Sequence, residues 1–141
     1  MFVAYIDGGS RGNPGPAGFG VRIENPDGTV CAELKGALGV ATNNVAEYRG
    51  LIAALTYFVG ARHCHILIRS DSQLLIRQMT GRYRVRHPNL QPLHREAQTL
   101  LEKLERVDFE HVPRTSNTEA DRLANQAMDE GQVAKNVDRA T

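Results

Sequence analysis

At 141 residues the chain can build one domain with a sizeable hydrophobic core and needs no second. Its 41% hydrophobic and 23% charged residues are ordinary for a globular protein, and no apolar run approaches the length needed to cross a bilayer. Seventeen Lys and Arg against 16 Asp and Glu leave a formal charge of +1, so any attraction for a polyanion must come from local patches.

The opening MFVAYID has neither a basic leader nor a cleavage site, so cytoplasmic residence is expected. Residues 2–7 read as a short buried strand. The Gly- and Pro-rich stretch 8–18 predicts a tight turn, and residues 18–24 and 29–37 a hairpin turning at Asn25-Pro26-Asp27-Gly28. The period then changes. Tyr48, Ile52, Leu55 and Val59 recur at helical spacing, with Thr42 or Asn43 placed to cap the helix and Gly60 to end it. Residues 64–70 form a strand and 72–80 a short helix stopped by Gly81. Leu90, Leu93, Ala97, Leu100, Leu101 and Leu104 mark a stronger amphipathic helix, and residues 107–112 a last strand. Ser116-Asn117-Thr118-Glu119 has the form of a capping box opening a final helix, whose apolar face runs from Ala120 to Met128. Residues 1–130 are read as one catalytic domain and 131–141 as a loosely held tail. Cys31 and Cys64 have no metal-binding spacing and are expected to be reduced thiols packed as small hydrophobes.

This order predicts an α/β fold with a five-stranded mixed sheet, three antiparallel strands then two parallel, flanked by helices. The helix after the meander is a crossover, so strand 64–70 should lie parallel to strand 2–7. Asp7 and Asp71 would then emerge together at the carboxyl edge of neighbouring strands, where ligand sites form in open α/β sheets. Glu47 and Asp121 border the apolar faces of two helices, where a charge is costly unless a cation meets it. Each acid alone has a structural excuse, as turn-former or helix-initiating residue. Together they predict a site for a pair of divalent cations and phosphoryl-transfer chemistry. Hard oxygen donors without a Cys/His set point to magnesium, with manganese as the substitute.

The motifs YIDGGSRGNPG, NNVAEYRGLIAAL, SDSQLLI and N-x-x-A-D-x-L-A, in this order, resemble type 1 ribonuclease H from about Phe2 to Met128. The resemblance implies an RNase H-like fold and an active site of Asp7, Glu47, Asp71 and Asp121 holding two magnesium ions, Asp7 bridging both. It implies cleavage of the RNA strand of RNA–DNA hybrids to 5′-phosphate and 3′-hydroxyl ends. Backbone at Gly8, Gly9 and Ser10, together with Glu47, would meet the 2′-hydroxyls that distinguish RNA from DNA. Asn13, Asn43, Asn44 and Gln73 match hybrid-contacting positions, and Thr42 one that helps hold a DNA phosphate, although turn and cap formation would explain several of these residues equally well.

Two departures from the family pattern stand out. Where many bacterial members carry a long basic protrusion, only GRYRVRHPNL intervenes; Arg82, Arg84 and Arg86 either grip phosphates in its place or form a solvated loop. A family His before the last acid has no clear counterpart in HVPRTSNTEAD. Arg114 lies nearest, and since it stays protonated its role would be electrostatic. The expected partner is an RNA–DNA hybrid, with double-stranded RNA a further candidate, no membrane, and a monomeric enzyme. The alternatives are another nuclease or strand-transfer enzyme on the same fold and a non-catalytic module binding hybrid or double-stranded RNA, which would gain nothing from four acids facing phosphate.

Overall fold

Ala4 and Ile6, fully buried between half-exposed neighbours, make Phe2–Ser10 the first strand, β1. A computed structural model describes residues 1–60 and 65–140, with side chains as far as Gly131. β2 spans Gly15–Glu24 and β3 Val30–Ala41, so the turn expected over residues 8–18 is confined to 11–14. The glycines on either side extend the strands instead, because the sheet supplies hydrogen-bond partners out to Ser10↔Ala17. The β2–β3 turn closes as the sequence suggests: Asn25 N–H donates to the Thr29 carbonyl, Asp27 accepts from Thr29 N–H at 3.0 Å, and Gly28 takes φ +89°.

Helix α1 (Asn43–Val59) is capped by Thr42, whose hydroxyl accepts from Val45 N–H, and ends at Gly60. The strand expected from residue 64 is seen as β4 over Ile66–Ser70; residues 61–64, with Cys64, lie outside the described residues. Then come α2 (Gln73–Met79), α3 (Gln91–Glu102) and β5 (Val107–His111). A 3-10 turn at Arg114–Ser116 leads into α4 (Thr118–Ala140), whose helical backbone runs on past Gly131, the boundary expected for the tail. No proline or β-branched run stops it there.

The sheet order is β3-β2-β1-β4-β5, antiparallel across β3-β2-β1 and parallel across β1-β4-β5. On one face Tyr48, Leu51, Leu55 and Phe58 of α1 join Ile6, Val21, Ile23, Ile66 and Ile68 in the main core, extended by Leu93 and Ala97 of α3. The other face of β2 carries Gly18 and Gly20 against α4. Cys31 is a part-buried free thiol whose Sγ lies 3.3 Å from the Tyr57 hydroxyl. Among the described residues no helix is long and apolar enough to cross a membrane.

The capping box does not form. Ser116 closes the 3-10 turn, and Asn117 precedes the helix, its carbonyl accepting from Asp121 N–H at 3.1 Å. Tertiary contact overrides the local motif: the Asn117 amide points inward and donates to the Ile6 carbonyl at 2.8 Å.

Candidate active site

Four elements deliver four carboxylates to one cleft of about 400 Å3: Asp7 from β1, Glu47 from α1, Asp71 just beyond β4, and Asp121 from the first turn of α4. β1 and β4 are parallel neighbours paired as far as Ile6↔Ser70, so the residues that follow, Asp7 still within β1 and Asp71 just beyond β4, come side by side where that pairing ends. The sequence expectation that these acids share a sheet edge holds. Gly8, Gly9, Ser10, Asn43 and Arg114 line the same cleft.

Two glycines set how closely the helices approach. A Cβ on Gly8 would overlap the Ala46 backbone and the Glu47 nitrogen, so only glycine lets α1 press Glu47 against the end of β1. On the opposite face, a Cβ on Gly20 would overlap the Ala120 carbonyl and meet the Ala124 nitrogen at 2.6 Å. The absent side chain seats the first turns of α4, and with them Asp121. Gly8 thus serves helix packing while its backbone lines the cleft. Gly9, whose added Cβ would meet nothing closer than 3.8 Å, is where backbone stays approachable.

These acids are crowded. Burial, reinforced by Asp71 and by a hydrogen bond with Asp121, pushes the Asp7 carboxyl up to about 8 against a bond from Gly8 N–H. Burial likewise raises Glu47 to about 7; a hydrogen bond from the Ser72 hydroxyl opposes the shift and nearby Asp71 adds to it. Among the described residues no three His, Cys, Asp or Glu side chains come together as a group that could by itself hold a metal ion. Magnesium does not need one, since it commonly keeps several waters and takes only one or two carboxylates plus substrate phosphates. Four acids against two arginines, Arg11 and Arg114, make an all-oxygen donor set that fits such an ion.

Other expected contacts are knitted into the scaffold. Asn43 Oδ1 accepts from Ser10 N–H at 2.8 Å and from its hydroxyl at 3.0 Å, and Asn43 N–H donates to Asn13 Oδ1 at 3.1 Å. Asn44 and Gln73 are exposed. Gln73 lines a separate cleft with Arg77, Arg82 and His111, whose ring Nε2 is 3.2 Å from the Asp71 carbonyl. Arg84 lines a larger cleft, about 750 Å3, with Tyr83, His94 and Arg95. Arg82 thus lines one cleft and Arg84 another, the two meeting at Thr80, while buried Val85 pins the loop between Arg84 and Arg86. Residues 72–95 contain no acid, and among the described residues no carboxylate pairs with Arg82, Arg84, Arg86 or Arg95, whereas Arg22, Arg49, Arg69, Arg106 and Arg122 all have one.

Sequence reasoning did not single out Arg11, Asn125 and Met128, which line the acid cleft, or Ser72 and Asn117, which brace it. Arg11 reaches the cleft because its guanidinium pairs with Asp129 of α4 at 2.6 Å, a partner 118 residues distant in sequence that no local motif announces. Ser72 and Asn117 did stand inside quoted motifs, SDSQ and N-x-x-A-D.

Comparison with known proteins places this geometry among others. A family model described as reverse transcriptase-like matches residues 5–127. The chain is 54% identical over 128 residues to a bifunctional protein of Mycobacterium tuberculosis, covering 90% of this chain and 35% of that one. It is 44% identical to ribonuclease HI of Halobacterium salinarum (90% and 64% covered) and 34% identical to ribonuclease H of Halorhodospira halophila (90% and 92%). The chain therefore spans about a third of its mycobacterial relative. Among solved structures, the N-terminal RNase H domain of the M. tuberculosis protein superposes with a TM-score of 0.89 at 52% identity, covering 94% of this chain and 97% of that one. An RNase H1 isolated from compost, solved in complex with an RNA/DNA hybrid, gives 0.88 at 38% identity, with 94% and 99% covered.

Proposed function

The chain belongs to the reverse transcriptase-like family and, within it, to the type 1 ribonucleases H; from that premise we propose that it cleaves the RNA strand of RNA–DNA hybrids endonucleolytically. One observation carries the reading: four carboxylates from four separate elements share one cleft, and two of them are driven toward the neutral form by burial and by their acidic neighbours. A pure binding module would gain nothing from such a cluster facing phosphate.

Two magnesium ions, or manganese in their place, would be held by Asp7, Glu47, Asp71 and Asp121 and would supply a polarised water and a counter-charge for the leaving 3′-oxygen. Asp7 feels both Asp71 and Asp121, so its carboxylate would lie beside each of the other two aspartates that hold the ions. In the hydrolysis the water oxygen bonds to phosphorus as the bond to the ribose 3′-oxygen breaks. The downstream fragment keeps the phosphate at its 5′ end, and the 3′-oxygen takes up a proton. Arg114, lining the same cleft, would place a fixed positive charge near the scissile phosphate without exchanging protons. Backbone at Gly9 and Ser10, with Glu47, would meet RNA 2′-hydroxyls. Asn13, Asn43, Asn44, Thr42 and Gln73 would flank the hybrid, the acid-free arginines Arg82, Arg84 and Arg86 holding phosphates further along it.

The test is incubation of strand-labelled hybrid with magnesium and with chelator, beside double-stranded RNA, DNA duplex and a duplex carrying one ribonucleotide. Magnesium-dependent cuts confined to RNA, with 5′-phosphate and 3′-hydroxyl ends, are expected. Intact hybrid under magnesium would refute the proposal.

A further inference from the structure

Asn117 is 1% exposed, and three hydrogen bonds tie it to the residues that frame the cleft. Its side-chain amide donates to the Ile6 carbonyl at 2.8 Å, one residue before Asp7. Its own carbonyl accepts from Asp121 N–H at 3.1 Å, and its N–H donates to the Arg114 carbonyl at 3.0 Å. The side-chain bond falls where pairing of β1 with β4 ends, at Ile6↔Ser70. There the strand carrying Asp7 keeps β2 on one side but loses its parallel neighbour on the other, and the Asn117 amide binds the last paired residue.

The other end of the amide is informative. Asn117 Oδ1 is buried and has no hydrogen-bond partner among the described residues. A buried acceptor without a partner costs stability, so a residue chosen for packing alone would be apolar here. What only a donor at this position accomplishes is to lock β1 to the entrance of α4. We propose that Asn117 is a positioning residue that sets the separation of Asp7, Asp121 and Arg114, and thereby the affinity and alignment of the cations those acids would hold. The proposal rests on the reading of Asp7 and Asp121 as metal-holding acids.

Asn117→Ala removes the donor. Asn117→Asp keeps the size and polarity of the side chain but turns the donor into an acceptor facing a carbonyl. Added negative charge near cations should by itself strengthen their binding, so weaker binding in Asn117→Asp would report disturbed alignment. Wild type, both variants and Asp7→Asn are compared by kcat and KM on hybrid. Manganese titration of the substrate-free proteins by calorimetry gives a second readout. Thermal unfolding identifies folded variants, and if Asn117→Ala fails to fold, Asn117→Asp decides. The expected result in folded variants is a loss of about 10- to 100-fold in metal affinity and in kcat, the scale seen when groups supporting metal ligands are removed, with little change in KM. A lowered Tm with wild-type kcat and metal affinity would make Asn117 structural only and overturn the proposal. Failure of the wild type itself to cleave or to bind manganese would instead refute the functional reading beneath it.

Discussion

At the scale of single residues, the raised carboxyls make a signed prediction. Asp7 rises from 3.8 to about 8 and Glu47 from 4.5 to about 7, so the folded metal-free state holds protons that the unfolded chain has released. Their contribution to stability is fully present below the unfolded values and is lost as pH climbs through the folded ones. Metal-free protein should therefore lose thermal stability between about pH 4 and pH 8, and Asp7→Asn should flatten that decline and raise Tm at pH 8. Added magnesium should stabilise wild type more at pH 8 than at pH 6, because cations take the ionised acids. The same Asp7→Asn should abolish cleavage while leaving hybrid binding largely intact, and near-normal turnover would remove Asp7 from the site. Arg114 faces the acid cleft, whereas His111 contacts the Asp71 carbonyl from a neighbouring one. Arg114→Ala is expected to lower kcat by roughly 10- to 100-fold, about 1.4–2.7 kcal/mol of barrier. Arg114→Lys should restore part of this. Loss confined to His111→Ala across a pH series would reverse the assignment.

At the scale of elements, the site depends on two close helix–strand contacts. Gly8 admits α1 and Gly20 admits α4, each against backbone that cannot rotate out of the way. Gly8→Ala and Gly20→Ala should each destabilise the fold by about 1–3 kcal/mol or more, the range for overpacking a tight contact. Activity should fall further than the folded fraction measured by denaturation, since the displaced helices carry Glu47 and Asp121. An alanine variant with full stability and activity would show that the helices can shift without moving the acids. The exposed Gly28, with nothing near its added Cβ but φ +89°, makes a useful contrast: strain there should cost stability and leave turnover per folded molecule unchanged.

At the scale of the whole molecule, a net charge of +1 conceals a strong segregation. Four acids share one cleft at the sheet edge, Arg22, Arg49, Arg69, Arg106 and Arg122 are paired with carboxylates, and in the acid-free stretch of residues 72–95 Arg82, Arg84, Arg86 and Arg95 have no carboxylate partner among the described residues. Replacing Arg82, Arg84 and Arg86 by Ala should weaken hybrid binding and reduce the slope of log affinity against log salt by about 0.7–0.9 for each phosphate no longer neutralised. Because Arg82 and Arg84 face different clefts, their single variants should act separately. An unchanged salt slope in the triple variant would return the loop to ordinary solvated surface.

Much of this arrangement was legible in the chain. Alternating Ala4 and Ile6, the Asn25–Gly28 turn and the α1 stripe from Tyr48 to Phe58 specify elements through local periodicity, and the crossover rule then makes β1 and β4 parallel neighbours. Asp7 and Asp71 could be paired by that rule, and Glu47 and Asp121 by their motifs. Local reasoning went astray at Ser116, where a well-formed capping motif gave way to the buried bond between Asn117 and Ile6. It also ended the first strand too early, at residue 7 where pairing with β2 carries it to Ser10. The lost capping box rests on a contact far along the chain, Asn117 with Ile6, and the longer strand on pairing with β2; Arg11 with Asp129 and Gly20 with Ala120 shape the cleft by equally distant contacts. The sequence alone determined which elements form and which acids they carry, because period and turn chemistry act over a few residues. Only the tertiary structure decided how near those acids stand and what holds them there, because close approach depends on the shape of both surfaces at once.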